Sequence, residues 1–96
     1  EPLIRQGDVG DSMYFLTRGQ VEVVQEETGS QLAILREGAY FGEVAILMDV
    51  PRTATNRAIT DCEVYELKRA GVLGLSRTYP EFARHLQEAL NTYRSA

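Results

Sequence analysis

Residues 41–55 read FGEVAILMDVPRTAT, and the rest of the chain is arranged around this stretch. It is an apolar run interrupted by one carboxylate, Glu43, and followed by a turn and by Arg52. Gly42 leaves the backbone before Glu43 free to turn amide groups toward a ligand, and Pro51 fixes the approach of the chain to Arg52. A carboxylate in such an apolar run needs a hydrogen-bonding partner, so the stretch predicts a binding site.

The chemistry of this stretch predicts a ligand that carries both a phosphate and a hydroxyl group. A helix start offers free N–H groups, and together with the guanidinium of Arg52 it favours an anion such as phosphate. The carboxylate of Glu43 only accepts hydrogen bonds, so its natural partner is a hydroxyl. A pocket that takes both groups fits the sugar phosphate of a nucleotide. The alternative is a structural ion pair between Glu43 and Arg52, which stabilises an exposed loop by only about 0–1 kcal/mol.

Composition limits the classes of protein to consider. The chain has 96 residues and a formal net charge of −4, which suits one small domain and argues against a nucleic-acid surface. No apolar run approaches about 18 residues, and the first residues do not resemble a signal peptide, so we expect a cytoplasmic location, including the cytoplasmic face of a membrane protein. The single cysteine, Cys62, excludes an internal disulfide framework.

Short runs of alternating polarity predict about seven strands in an antiparallel β-roll or barrel. Six of these strands are assigned to residues 1–7, 12–16, 20–26, 31–35, 55–59 and 62–67, with a hairpin turn at 28–30. Helical patterns follow at residues 69–77 and again from Pro80. The second helix is amphipathic, with one apolar face formed by Phe82, Leu86, Leu90 and Tyr93. The predicted fold class is therefore α+β, mainly β.

The pair of motifs FGEVA and PRTAT resembles the phosphate-binding cassette of cyclic nucleotide-binding domains. These are the cAMP and cGMP sensors of kinase regulatory subunits, gated ion channels and bacterial regulators. The family pattern is matched at Phe41, Gly42, Glu43, Ala45, Pro51, Arg52, Ala54 and Thr55. The start of the chain is also similar, at Gly7, Asp8, Gly10, Asp11, Tyr14 and Phe15.

The resemblance covers the whole chain and implies one domain over residues 1–96. It implies an eight-stranded roll, here at 1–67, with the cassette at 41–55 and two C-terminal helices at 69–96. The family's N-terminal helix and first strand have no counterpart in this sequence. We therefore expect a piece of a larger protein, with a roll that exposes a sheet edge.

The same resemblance implies a role for each residue of the cassette. Glu43 accepts the ribose 2′-hydroxyl, Arg52 pairs with the exocyclic oxygens of the cyclic phosphate, and backbone amides complete the cradle. Thr53 donates to the phosphate or to a purine substituent, or else only packs in a turn. Tyr93 stacks on the purine, or else is ordinary core or a frayed terminus. The full predicted ligand-binding set is Gly42, Glu43, Val44, Ala45, Arg52, Thr53 and Tyr93.

Two further residues bear on function. Asn56 stands where the family has an apolar residue, so either it contacts the ligand or the strand begins later than usual. His85 is the only histidine, and one histidine cannot form the metal site of the cupins, whose β-roll is similar in outline. The sequence also lacks a nucleophile–base arrangement, so we expect neither an enzyme nor a cofactor other than the cyclic nucleotide itself.

The resemblance therefore implies a regulatory sensor. Cyclic nucleotide binds the cassette, the last helix closes over it as a lid, and a covalently linked channel, kinase or DNA-binding domain responds. We expect no contact with nucleic acid or membrane within this chain, and any oligomer to form through the effector. The alternative is a degenerate member that binds no ligand and serves as a protein-interaction scaffold, and the intact Glu43 and Arg52 argue against it.

Overall fold

The computed structural model describes the backbone of residues 2–95 and the side chains of residues 3–92. Seven strands and three helices occur in this part of the chain. The strands are β1 Pro2–Ile4, β2 Ser12–Arg18, β3 Val21–Gln25, β4 Ser30–Leu35, β5 Tyr40–Phe41, β6 Thr55–Ala58 and β7 Glu63–Lys68. The helices are α1 Glu43–Met48, α2 Arg69–Thr78 and α3 Pro80–Ser95. The α+β prediction is confirmed, and β5 is the strand that the polarity pattern missed.

The strands form two antiparallel sheets, in the orders β1-β6-β3-β4 and β5-β2-β7. The predicted hairpin joins β3 to β4, where the N–H of Gly29 donates to the carbonyl of Gln25 at 2.8 Å. The cassette connects the two sheets, because β5 before it belongs to one sheet and β6 after it belongs to the other. This connection places α1 beside the opening between the sheets.

Two groups of buried apolar side chains hold these elements together. The roll cluster lies between the sheets and consists of Ile4, Leu16, Val21 and Phe41. The helix cluster joins β2 to all three helices and consists of Met13, Ile46, Val72, Phe82 and Leu86. Burial of such side chains is the main favourable term in folding, so the helices are attached to the roll mainly through the helix cluster.

The C-terminal helices follow the sequence prediction closely. Helix α2 ends at Thr78, where the N–H of Tyr79 donates to the carbonyl of Leu75 at 2.8 Å, and Pro80 opens α3. Helix α3 buries Phe82 and Leu86, as its apolar face predicts. Among the described residues, no helix is long and apolar enough to cross a bilayer.

Candidate functional site

One cavity lies between α1, β5 and the inner face of the four-stranded sheet. The cavity has a volume of about 190 Å³ and is open to solvent at its mouth. The structure brings six of the seven predicted ligand-binding residues to its lining: Gly42, Glu43, Val44, Ala45, Arg52 and Thr53. The seventh, Tyr93, belongs to α3 by its backbone, and its side chain lies outside the described residues.

Arg52 brings a buried positive charge to this cavity. It is only 8% exposed, and its guanidinium donates from Nη1 to the carbonyl of Gly42 at 2.7 Å and from Nη2 to the carbonyl of Ser12 at 2.8 Å. These bonds use two of the five N–H donors of a guanidinium. Within the described part of the chain no carboxylate pairs with Arg52, so the alternative of a structural ion pair with Glu43 is wrong.

Two glycines make room for that guanidinium. A Cβ on Gly10 would collide with the Cζ and Nε atoms of Arg52, and a Cβ on Gly42 would lie 2.9 Å from its Nη1 atom. Gly42 also has a φ of +84°, which favours glycine. The backbone of Arg52 is fixed by the same N-terminal loop, because its N–H donates to Asp8 and its carbonyl accepts from Gly7, both at 2.8 Å. The glycine-rich loop at the start of the chain therefore positions Arg52.

Glu43, the first residue of α1, brings a buried carboxylate to the same cavity. Its side chain is 15% exposed, and among the described residues its Oε2 atom has no hydrogen-bond donor. The imidazole of His85 on α3 faces this carboxylate, with Nε2 3.5 Å from Oε2, a distance that allows an ion pair when the imidazole is protonated but without a hydrogen bond. Burial raises the pKa of Glu43 above its ordinary value, and the charge of His85 offsets part of that rise.

Sequence analysis considered His85 only as a metal ligand and rejected that role. Its ring packs against Tyr40, with centroids 4.9 Å apart, and its Nε2 atom is buried without a hydrogen-bond partner. In the described part of the chain no group of three or more metal-ligating side chains occurs. The spacing of Phe82, His85 and Leu86 was an available signal, since residues three and four apart share one helix face. That face is the buried one, which brings His85 to Glu43.

Arg69, at the start of α2, holds the other end of α1. Its Nη1 atom donates to the carbonyl of Ile46 at 2.7 Å, and its Nη2 atom lies 3.7 Å from a carboxylate oxygen of Asp49. A basic side chain at this end satisfies the last carbonyls of a helix and complements its dipole. No sequence pattern predicts this contact, because 23 residues separate Arg69 from Ile46.

Thr53 and Asn56 also line the cavity. Thr53 is exposed, so its hydroxyl lies at the surface of the site. Asn56 is buried, and β6 begins one residue before it, at Thr55. Asn56 therefore lies inside β6, and contact with a ligand stays a prediction.

Comparison with known proteins agrees with this architecture. The sequence profile of the cyclic nucleotide-binding domain matches residues 1–79. The cAMP-dependent protein kinase regulatory subunit of Yarrowia lipolytica is 38% identical over 86 residues, which are 90% of this chain and 22% of that protein. Among solved structures, the catabolite activator protein of Thermus thermophilus superimposes with a TM-score of 0.79 at 34% identity, covering 98% of this chain and 45% of that one.

A second solved structure is the regulatory domain of Toxoplasma gondii PKA, crystallised with cAMP. Its TM-score is 0.71 at 30% identity, over 77% of this chain and 29% of that one. The chain thus spans less than half the length of each of these relatives. The profile match extends over the roll, the cassette and α2. This chain belongs to the cyclic nucleotide-binding domain family.

Proposed function

We propose that this chain is a regulatory module that binds a cyclic nucleotide, cAMP or cGMP, in the cavity beside α1. The observation that carries the proposal is a buried guanidinium and a half-buried carboxylate that do not pair with each other. Arg52 has spare N–H donors, and Glu43 has an oxygen without a donor, in one cavity. A ligand with an anionic group and a hydroxyl group satisfies both, and the cyclic ribose phosphate is such a ligand.

The phosphate would bind between Arg52 and the start of α1. No side chain caps this helix end, so its first N–H groups are available to an anion. Those amides belong to the segment that contains Gly42, Val44 and Ala45, and Thr53 adds a hydroxyl at the mouth. Among the described residues, these donors and the guanidinium are the parts of the cavity that suit a negative charge.

The ribose hydroxyl would bind to Glu43 and so compete with His85 for the same oxygen atom. Because His85 belongs to α3, nucleotide binding would change how α3 is held against the cassette. Arg69 links the opposite end of α1 to α2, so both C-terminal helices contact the cassette helix. A nucleotide can shift the position of these helices only if it binds one arrangement better than the other.

Closure of α3 as a lid and control of an attached effector complete the proposal. The relatives include a kinase regulatory subunit and a catabolite activator protein, and the effector here would be a kinase, channel or DNA-binding domain joined to this chain. The module itself would act as a sensor in the cytoplasm, without catalysing a reaction.

Calorimetric titration with cAMP and then with cGMP tests this function. The wild-type chain should bind at least one of them, and Arg52→Ala should abolish measurable binding. Arg18→Ala is the matched control, because Arg18 lies in an exposed ion pair with Glu63. If the wild-type chain is folded and binds neither nucleotide, the sensor function is refuted and a scaffold role is favoured.

A further inference from the structure

Asn56 stands on the sheet wall of the cavity. It is the second residue of β6, and its register partners are Val23 on β3 and Ile4 on β1. Residues paired across antiparallel strands point to the same face of a sheet. Both partners line the cavity together with Asn56, so the amide lies on the face that a bound molecule would meet.

The amide of Asn56 has no hydrogen-bond partner among the described residues, although the residue is only 6% exposed. A primary amide carries two donors and an acceptor, and leaving them unpaired away from water is unfavourable. The amide atoms of Asn56 are not among the fully buried unpaired atoms, so water in the open cavity can reach them, and a molecule that displaces this water has to supply the same hydrogen bonds. The arrangement distinguishes Asn56 from Thr55, which is fully buried but accepts a hydrogen bond from the backbone of Gln6 at 3.0 Å.

The surroundings of Asn56 indicate which part of a nucleotide it would meet. The other residues of the four-stranded sheet that line the cavity are apolar: Ile4, Val23 and Leu35. Such a wall suits the flat ring of a base better than it suits a phosphate or a sugar. The phosphate and the hydroxyl already have partners in Arg52 and Glu43, so the base is the part that lacks a polar contact.

The two purines differ in what they offer to an amide. Adenine presents an amino donor beside the N7 acceptor, a pattern that one asparagine matches with two hydrogen bonds. Guanine presents two acceptors at the same edge, O6 and N7, so the carbonyl oxygen of the amide finds no donor there. An asparagine that meets this N7 edge of the base therefore discriminates between the two purines.

We propose that Asn56 binds the edge of the purine and gives this site a preference for adenine over guanine. This inference rests on the proposed function, because it names the base that the same cavity accepts. Asn56 is thus a specificity-determining residue that lies outside the FGEVA and PRTAT motifs.

Titration of wild type and Asn56→Val with cAMP, cGMP and the cyclic nucleotide of purine riboside, which lacks the 6-amino group, tests this assignment. Wild type should bind cAMP more tightly than either other ligand, and the loss of the amino group should weaken binding about tenfold. Asn56→Val should weaken cAMP binding about tenfold and should bind cAMP and the desamino analogue equally. Gln31→Val, which removes an exposed amide on β4, is the matched control.

Two results would overturn the assignment. One is an equal loss of affinity for all three ligands in Asn56→Val, which means that the residue acts only on the fold. The other is unchanged discrimination between cAMP and the desamino analogue. Equal affinities of wild type for cAMP and the desamino analogue would mean that no residue recognises the amino group, a result that does not require the variant to fold. Failure of wild type to bind any of the three ligands would instead refute the proposed function.

Discussion

The two charged ends of the cavity are built in different ways. Arg52 is held by carbonyl groups of Ser12 and Gly42, and its backbone is fixed by the N-terminal loop. Glu43 receives no hydrogen bond to its buried oxygen and instead faces His85 on α3. The arginine end is therefore positioned by the roll and the cassette, whereas the glutamate end depends on a C-terminal helix. This difference indicates that affinity for the anion and response to the ligand are separable properties of the cavity.

The packing beneath the two ends shows the same division. The wall near Arg52 contains Ile4 and Phe41, which belong to the roll cluster between the sheets. The helix that carries Glu43 buries Ile46 in the helix cluster, together with Phe82 and Leu86 of α3. A shift of α3 would therefore disturb the helix cluster first and leave the roll intact.

Arg52→Lys should have the largest effect on binding. Lysine keeps the charge but lacks the planar fork that reaches two carbonyls and an anion at once, so the phosphate contact is weakened. We expect cyclic nucleotide affinity to fall about 30- to 100-fold, measured by calorimetric titration. An affinity within about threefold of wild type would show that charge alone, without the fork, is sufficient at this end.

Gly10→Ala should have the second largest effect on nucleotide affinity, although Gly10 itself does not line the cavity. The added Cβ would displace the Arg52 guanidinium from its carbonyl partners. We expect about a tenfold loss of affinity, because a small misplacement of a charged donor weakens its hydrogen bonds. Gly29→Ala provides a control, since a Cβ on that glycine would meet no neighbouring atom and its positive φ tests backbone strain alone. Equal losses in both variants would contradict the role given to Gly10.

Glu43→Gln should weaken binding about tenfold and at the same time stabilise the fold at neutral pH. Because burial raises the pKa of Glu43, the folded protein holds this proton more tightly than the unfolded chain does. Stability then falls as the pH rises from the ordinary glutamate value through the raised pKa of the folded state. Glutamine removes that loss, so the variant should be the more stable protein above this window and show no advantage below it.

Urea unfolding of wild type and Glu43→Gln between about pH 4 and about pH 7 measures this difference. Glu37→Gln is the control, because Glu37 is exposed and lies away from the cavity. A wild-type protein whose free energy of unfolding rises with pH relative to the variant would show that the His85 charge outweighs the cost of burial.

His85→Gln should have the smallest effect. It removes the charge that faces Glu43 and leaves that carboxylate free for a hydroxyl. We expect nucleotide affinity to rise by up to about threefold, in line with the modest energy of a partly exposed ion pair. In a Glu43→Gln background, His85→Gln should leave nucleotide affinity unchanged, because the carboxylate that His85 faces is no longer present. Additive effects of the two substitutions would contradict the competition between His85 and the ribose.

The sequence predicts the parts of this site that are local in the chain. The spacing of Gly42, Glu43 and Arg52 within one stretch predicts the chemistry of the cavity, and the apolar face of α3 predicts its burial. The partners of these residues could not be predicted in the same way. The contact of Glu43 with His85 depends on how α3 crosses α1, and the burial of Arg52 depends on the missing Cβ of Gly10.

Those features arise from tertiary packing, and a residue pattern within one helix or strand does not predict it. Arg69 is the clearest case, because nothing in the composition of α2 identifies Ile46 as its acceptor. The position of Asn56 could be predicted only in part. Its polarity in a strand indicated that something was unusual, and only the register with Val23 and Ile4 showed which face it occupies.

The contact of Arg69 with α1 also has a kinetic consequence. Because the protein itself satisfies the C-terminal end of this six-residue helix, the cassette does not have to fold around the nucleotide. Association then loses little conformational entropy, and its rate need not be limited by a slow rearrangement. The heat capacity change of binding should accordingly reflect burial of the nucleotide and closure of α3, without the larger negative value that accompanies folding of the cassette.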